Sequence, residues 1–199
     1  MNRQDIISFF NRLAPEWDAD MVRNEPSISR ILETAGILCG DSVLDVACGT
    51  GVLIPDYLKR NPSSVTGIDF SGEMIRIART KFTDPRVSFL EQDLMDYTPG
   101  IRFDHVVLFN AFPHFTDPEQ TVLKLCGLAA DGGTVTIAHG MGRDSVNRHH
   151  SGTASPYSVE LAPAKEIASL FPDDMILTDV TDEPDVFIVS ARKKEGPVS

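Results

Sequence analysis

The feature that most constrains the fold of this 199-residue chain is a regular alternation of strand-like and helix-like hydrophobic patterns. Short β-branched, apolar runs are separated by stretches whose apolar residues recur every three or four positions. The predicted strands cover 42–47, 65–69, 87–90, 103–109, 134–138, 175–180 and 185–191, and the predicted intervening helices cover 52–60, 71–81, 117–130 and 163–171. Such an alternation favours an α/β fold with a mostly parallel sheet, helices on both faces and right-handed crossovers.

Two further helices are predicted before the first strand. Residues 3–17 present one apolar helical face, although Pro15 disturbs the last turn. Ser27 is expected to cap a second helix that ends at Gly36.

The chain length fits one domain, which we predict to span 1–199. Within it, 1–35 is expected to form a helical cap. Residues 140–157 are rich in Gly, Ser, Asn and His and are predicted as a long loop, and 193–199 as a solvated tail.

Composition and charge exclude several classes of protein. A 42% hydrophobic content excludes disorder, and the net charge of −11 makes a nucleic-acid partner unexpected because phosphates would be repelled. No apolar run approaches the ~18 residues of a membrane span, and the N-terminus lacks a signal-peptide core, so we expect a cytoplasmic protein without a membrane partner. The three cysteines form no C-x-x-C pair, which favours neither a disulfide framework nor a zinc knuckle.

The segment VLDVACGTG, residues 43–51, predicts a ligand site, because ligands of such sheets lie outside the carboxyl ends of the strands. Gly49 and Gly51 allow a sharp turn and a close approach of the backbone to a ligand. The dinucleotide fingerprint would require a third small residue where this chain has Ile54. Acidic residues stand inside the first strand, at Asp45, and at the end of the second, at Asp69.

With these residues the sequence resembles the class I S-adenosylmethionine (SAM)-dependent methyltransferases. VLDVACGTG resembles the first motif of the family, GIDFSGEMIRIAR (67–79) the second and FLEQDLMDY (89–97) the third. FDHVVLFNAFPHF (103–115) and the following Asp-Gly-Gly turn resemble the fourth and fifth. The opening NRLAPEWD (11–18) is similar to that of the small-molecule branch. The resemblance implies a Rossmann-like sheet of seven strands with the last one antiparallel.

The resemblance also implies SAM as cofactor, S-adenosylhomocysteine (SAH) as product and a small-molecule acceptor. The cofactor-binding positions carried over are Trp17, Asp45, Ala47, Gly49, Gly51, Asp69, Phe70, Met74, Asp93, Leu94 and Asn110. A carboxylate at Asp69 can accept both ribose hydroxyls. Asp93 and the Leu94 N–H suit adenine, Met74 suits the adenine face, and Asn110 is expected near the sulfonium.

Histidines supply the candidate catalytic bases. His114 follows the fourth strand, His139 ends the fifth, and His149 and His150 lie in the predicted loop. A proton relay or a transition-metal site formed by three of them is one hypothesis, and separate surface histidines are the other. His105 is interpreted as structural. No metal ligand is assigned.

Three alternative functions stay open from the sequence alone. The chain could bind SAM without catalysis, could be a metal-assisted methyltransferase that uses the histidines, or could be a nicotinamide-dependent oxidoreductase, against which Ile54 counts. No motif names the methyl acceptor or an oligomeric state.

Overall fold

The computed structural model describes residues 3–150 and 155–196 and contains one seven-stranded sheet in the order β3-β2-β1-β4-β5-β7-β6. The strands are β1 Ser42–Val46, β2 Ser64–Asp69, β3 Val87–Glu91, β4 Phe103–Phe109, β5 Ala129–His139, β6 Met175–Asp182 and β7 Phe187–Lys193. The pairs from β3 to β5 are parallel, and β7 runs antiparallel between β5 and β6. This confirms the predicted α/β class and the single antiparallel strand.

Eight α-helices are present in the described residues: α1 Arg3–Leu13, α2 Trp17–Asp20, α3 Glu25–Ala35, α4 Ile54–Lys59, α5 Gly72–Lys81, α6 Pro118–Leu128, α7 Arg143–His150 and α8 Ala164–Ala168. Short 3-10 helices occupy Ala14–Glu16, Phe112–His114 and Ser155–Tyr157. None of these helices is both long and apolar enough to cross a membrane.

Helices cover both faces of the sheet because the inner strands β1, β4, β5 and β7 bury side chains on both sides. On one face α3, α4 and α5 bury Ile31, Tyr57 and Ile75 against the strands. On the other face α6 and α8 bury Leu125 and Ile167. Burial of such large side chains, each contributing about 1.5–3 kcal/mol, fixes the sheet between its helices.

A third apolar cluster joins α1 to α5. Ile6, Phe9, Phe10 and Ala14 pack with Met74, so the N-terminal helices rest on α5 beside the carboxyl end of β2. Residues 3–20 therefore form a cap that is shorter than the predicted 1–35, because α3 packs in the apolar cluster on one face of the sheet.

The structure corrects several local predictions near the termini of helices. Residues 140–157 do not form one long loop, because 143–150 is helical and Val146 is its only buried apolar residue, too few to produce a periodic signal. The cap of α3 is Asn24, whose side chain accepts from the N–H of Ser27, so Ser27 lies inside the helix.

The first predicted helix and the fifth predicted strand also differ in length from the helix and the strand that the structure shows. α1 ends at Leu13, and Pro15 lies in a 3-10 turn. The Asp-Gly-Gly turn before the fifth strand is an irregularity inside a longer β5, where Gly132 adopts a φ of 74° and the pairing with β4 shifts register. The predicted tail begins in β7 at Lys193, and 197–199 lie outside the described residues.

Candidate active site

A cavity of about 400 Å³ lies at the carboxyl ends of β1, β2 and β4, beneath α1. Nine of the predicted cofactor-binding positions contribute to its wall, namely Trp17, Ala47, Gly49, Asp69, Phe70, Met74, Asp93, Leu94 and Asn110. Asp45 and Gly51 lie behind this wall and do not line it. The cavity is therefore at the edge of the sheet that the motif positions predicted.

Asp69 is the last residue of β2 and is fixed by the backbone on both sides. Its Oδ2 accepts from the N–H of Gly49 at 2.9 Å and its Oδ1 from the N–H of Ser71 at 2.8 Å. Burial raises the pKa of Asp69 to about 6, although the two N–H groups oppose the rise. Each carboxylate oxygen keeps acceptor capacity for a further donor from the cavity.

The turn after β1, residues 47–51, is called the glycine turn below because its backbone requires glycine. Ala47, Gly49 and Gly51 all have positive φ, at 53°, 55° and 86°. A Cβ placed on Gly51 would lie 2.7 Å from the ring of Phe82, so a side chain there would displace either the ring or the turn. Gly51 therefore packs against Phe82 and does not line the cavity, whereas Gly49 lines the cavity next to Trp17.

Asp45 is turned away from the cavity. It is 2% exposed and lies beside the hydroxyl of Tyr57, and its Oδ2 has no hydrogen-bond partner among the described residues. Burial, opposed by Tyr57 and reinforced by the charge of Asp69, raises the pKa of Asp45 to about 8. The structure thus buries Asp45 beside Tyr57 and outside the cavity wall.

Asp93 and Leu94, which follow β3, also line the cavity. Asp93 Oδ1 accepts from the N–H of Met95 at 2.8 Å, while its Oδ2 forms an ion pair with Nε of Arg3 at 2.9 Å. The buried side chain of Met74 lines the same cavity. A flat, neutral ring with an amino group fits such surroundings, because Asp93 can accept from the amine and Met74 can contact the ring face.

Asn110 ends β4 in a left-handed conformation with a φ of 54°. Its Oδ1 accepts from the N–H of Gly140 at 2.9 Å, which ties the ends of β4 and β5 together. Non-glycine residues seldom adopt this backbone, and such strain is concentrated at functional sites.

His114 is the histidine that lines the cavity. It lies in the 3-10 helix after β4, and its Nδ1 is 2.9 Å from the carbonyl oxygen of Tyr157. A carbonyl only accepts, so Nδ1 carries the proton and Nε2 holds the lone pair in the neutral ring. Burial lowers the pKa of His114, with the Tyr157 carbonyl opposing, and the ring is neutral at pH 7.

The other predicted histidines lie outside the cavity. His139 is buried and packs edge-on against Phe187 of β7, at a centroid distance of 5.9 Å. His149 is exposed on α7. His105 is structural as interpreted, with Nδ1 at 2.8 Å from Thr134 and Nε2 at 2.8 Å from Asp41.

A three-histidine site is not assembled in the part of the chain that the structure describes. Among those residues no group of three His, Cys, Asp or Glu side chains is arranged to hold a metal ion, and the side chain of His150 lies outside them. Neither His139 nor His149 is retained as a candidate base.

Sequence reasoning missed Arg23, which lines the cavity beside the turn after β1. Its Nη2 contacts Asp56 at 2.7 Å, its Nε contacts Glu25 at 2.7 Å, and its Nη1 donates to the carbonyl of Val52. These acids raise the pKa of Arg23 above its ordinary value. No local pattern marks this arginine, because only the fold brings it beside the glycine turn.

Two polar tethers of the N-terminal cap were missed as well. Asn11 Oδ1 accepts from the hydroxyl of Ser71 at 2.7 Å, next to the turn that holds Asp69. Asp18 accepts from the hydroxyl of Thr50 at 2.5 Å and from Lys81 at 2.7 Å, which ties the cap to the glycine turn. The cap therefore touches both strand ends that shape the cavity.

Comparison with known proteins agrees with this arrangement. Residues 43–133 match a family model described as a methyltransferase domain. An uncharacterized methyltransferase of Mycobacterium tuberculosis is 35% identical over 96 residues, which are 48% of this chain and 48% of the relative. The chain thus spans about half the length of this curated relative. A ubiquinone biosynthesis O-methyltransferase of Bordetella bronchiseptica is 34% identical over 146 residues, 68% of this chain and 60% of the relative.

Solved structures share the fold over most of the chain. The N-methyltransferase NodS of Bradyrhizobium japonicum, in complex with SAH, superposes with a TM-score of 0.74 at 15% identity and covers 96% of this chain and 99% of its own. A chain of the complex between the Haloferax volcanii Trm112 methyltransferase activator and its methyltransferase partner gives a TM-score of 0.74 at 19% identity, with coverage of 94% and 98%. The motif order and the matched sequence of residues 43–133 agree with a methyltransferase domain, and the sheet topology is that of solved methyltransferases.

Proposed function

We propose that the chain transfers a methyl group from SAM to a small-molecule acceptor and releases SAH. The observation that carries the proposal is Asp69, a buried carboxylate at the end of β2 whose two oxygens are oriented by the N–H groups of Gly49 and Ser71. Such a carboxylate is pre-aligned to accept a pair of vicinal hydroxyls, as a ribose presents them.

The charges along the cavity support one orientation of the cofactor. Asp93 would accept from the adenine amine, Asp69 from the ribose, and Arg23 would meet the carboxylate of the methionine moiety. Arg3 is paired with Asp93, whereas Arg23 donates to the carbonyl of Val52 beside the turn after β1, so Arg23 is the cation better placed for that carboxylate. The carboxylate of Asp69 also suits a cationic ligand such as SAM.

When bound, SAM supplies a methyl group that its sulfonium has already activated for in-line displacement. The protein therefore has to align the acceptor, exclude water and take up a proton where the acceptor retains one. His114 can take this proton on Nε2, since its Nδ1 proton is held by the Tyr157 carbonyl. A neutral ring at pH 7 is the form that a general base requires.

A small acceptor is supported by the shape and charge of the molecule. The cavity is about 400 Å³ and is covered by α1, whose residues Ile6 and Phe10 form part of its wall. The net charge of −11 opposes a polyanionic acceptor such as nucleic acid.

Calorimetric titration tests the proposal directly. We expect SAH to bind the wild-type protein and NAD not to bind, and Asp69→Ala to weaken SAH binding by about 1.5–3 kcal/mol, the contribution of a hydrogen bond to a charged group. Asp131→Ala, at an exposed carboxylate remote from the cavity wall, is the matched control and should bind normally. Absence of SAH uptake by folded wild-type protein would refute the cofactor assignment.

A second measurement tests catalysis itself. Protein incubated with methyl-labelled SAM and a panel of small hydroxyl, amine and thiol compounds should transfer label to at least one of them. His114→Gln should lower the rate with a hydroxyl acceptor by about 10²–10⁴-fold while SAH affinity is kept. SAH binding without any transfer across the panel would favour a non-catalytic SAM-binding role.

A further inference from the structure

Part of the cavity wall is apolar and takes no part in the proposed cofactor contacts. This apolar wall consists of Val22, Ile28, Phe109 and Met141. Ile28 and Phe109 are buried in one apolar cluster, whereas Val22 is 91% exposed and Met141 is 38% exposed. A side chain that lines a cavity and is also exposed to solvent lies at its opening, so the apolar wall continues from the interior to the mouth.

Hydrogen bonding and packing around Gly140 bring the apolar wall together. Nδ2 of Asn24 donates to the carbonyl of Gly140 at 3.2 Å, which joins the linker that carries Val22 to the segment that carries Met141. A Cβ placed on Gly140 would lie 3.3 Å from the ring of Phe109. Residues from three parts of the chain therefore border one stretch of the cavity.

The apolar wall adjoins Asn110, the residue that we expect near the sulfonium. Phe109 precedes Asn110 at the end of β4, and Oδ1 of Asn110 accepts from the N–H of Gly140 at 2.9 Å. An acceptor whose reacting atom lies beside Asn110 can therefore place its remaining atoms along the apolar wall.

The polar side chains between Val22 and Ile28 that line the cavity are engaged within the protein. Arg23 donates from Nε, Nη1 and Nη2 to acceptors of the protein, and we assign it to the carboxylate of the cofactor. Asn24 uses both ends of its amide, since its Oδ1 also accepts from a backbone N–H at 3.3 Å. A charged group buried here would lose its water without gaining a matched partner, whereas a hydrocarbon group would gain from burial.

We propose that the apolar wall is the subsite for the non-reacting part of the methyl acceptor, and that this part is an uncharged hydrocarbon group. The acceptor is then an amphipathic small molecule whose reacting atom lies beside Asn110. Its hydrocarbon group lies against Phe109 and Ile28 and leaves the cavity between Val22 and Met141. This inference rests on the proposed function, because it names the class of acceptor for the same site.

A homologous series of primary alcohols from 1-butanol to 1-octanol tests the subsite by titration calorimetry in the presence of saturating SAH. We expect the dissociation constant to fall about two- to fourfold for each added methylene, since the burial of one methylene group from water gives at most about fourfold. Equal affinity along the series would overturn the proposal.

A charge on the far end of the chain provides a second comparison. Asp117 lines the cavity with an exposed carboxylate and is the partner that a cationic tail could find. We expect 8-amino-1-octanol, which is a cation at pH 7, to bind more weakly than 1-octanol. Tighter binding of the amine would replace the hydrocarbon subsite by a cation subsite and so overturn the proposal.

The double variant Val22→Asn, Met141→Gln keeps side chains of similar size and makes the mouth polar. Affinity for 1-octanol should decrease about tenfold and affinity for 1-butanol much less, so the dependence on chain length becomes shallow. Met141→Leu stays apolar and should keep the wild-type dependence. Leu38→Gln, at a 69% exposed position outside the cavity wall, is the matched control and should also behave as the wild type. An unchanged dependence in the double variant would refute the subsite.

Titration with SAH separates this inference from the proposed function. The double variant should bind SAH as the wild type does, and weaker SAH binding would assign the apolar wall to the cofactor and overturn the proposal. The alcohol series is therefore also measured without SAH. A wild type that shows the chain-length dependence but does not bind SAH refutes the cofactor assignment, whereas one that binds SAH without the dependence refutes the subsite alone.

Discussion

Arg3 on α1 forms an ion pair with Asp93, with Nε and Oδ2 2.9 Å apart, while its Nη2 contacts Asp96 at 2.9 Å. Asp93 is the carboxylate that we assign to the adenine amine, so the first helix of the chain competes with the cofactor for one acceptor. The guanidinium of Arg3 is more than half exposed, which keeps the pair weak in water.

Replacing Arg3 should therefore strengthen SAH binding. We expect Arg3→Ala to lower the SAH dissociation constant about two- to fivefold, the range of a surface ion pair, and the gain should shrink at high salt because the competing pair is screened. Titration calorimetry at two ionic strengths measures this. Arg76→Ala removes a pair with Glu73 in which the arginine is about as exposed as Arg3, and it should change nothing. Weaker binding in Arg3→Ala would show that Arg3 supports the cofactor.

The raised pKa of Asp69, about 6, predicts a pH dependence of SAH binding. Ribose hydroxyls donate to the ionised carboxylate, so affinity should be constant above pH 7 and fall as protonation sets in. Between pH 7 and pH 5 we expect about a tenfold loss, because the ionised fraction falls by that factor. Asp69→Asn should bind weakly at every pH without this slope. A flat wild-type profile from pH 5 to 7 would contradict the assignment.

The parts of the molecule that local patterns determine were predictable. Most strands contain a short apolar, β-branched run, so their approximate positions followed from the local pattern, and the α/β class followed from the alternation with helices. The location of Gly49 and Asp69 in the cavity wall was predictable, because both follow the carboxyl ends of parallel strands, and their roles toward a cofactor stay predictions.

The remaining features depend on tertiary contacts that no local pattern encodes. Arg23 reaches the glycine turn only after the α2–α3 linker folds onto it. His139 ends β5 as predicted, but its side chain packs on Phe187 because β7 pairs at that position. Asp45 faces Tyr57 of α4, and the alternation along β1 alone did not say which face α4 would cover.

Burial of Asp45 predicts a stability that decreases with pH. Its pKa is about 8 in the folded protein and 3.8 as an ordinary carboxyl, so folding favours the protonated form. This contribution is complete below pH 3.8 and is lost as pH rises to about 8, at no more than about 1.4 kcal/mol per pH unit.

Urea unfolding of the wild type and Asp45→Asn at pH 5 and pH 8 measures this contribution. The free energy of unfolding of the wild type should fall relative to that of Asp45→Asn as the pH increases, because asparagine cannot ionise. Asp131→Asn, at an exposed position, should follow the wild type at both pH values. A difference that does not change with pH would mean that Asp45 is ionised throughout.

We expect the Gly51→Ala variant to have a distorted turn between β1 and α4. Gly51 has a φ of 86°, and its added Cβ would lie 2.7 Å from Cε2 of Phe82. Strain of this kind costs about 1–3 kcal/mol, so both thermal stability and SAH affinity should decrease. Gly100→Ala is the matched control, because a Cβ there meets nothing within 4 Å, and its effect should stay within about 0.5 kcal/mol.

A double variant separates the two causes. Gly51→Ala with Phe82→Leu removes the overlap with the ring but leaves the strained backbone, so SAH affinity should recover only in part relative to Phe82→Leu alone. Full recovery would mean that the ring contact alone requires glycine. No recovery would mean that the backbone conformation is decisive, because alanine disfavours a positive φ wherever its side chain points.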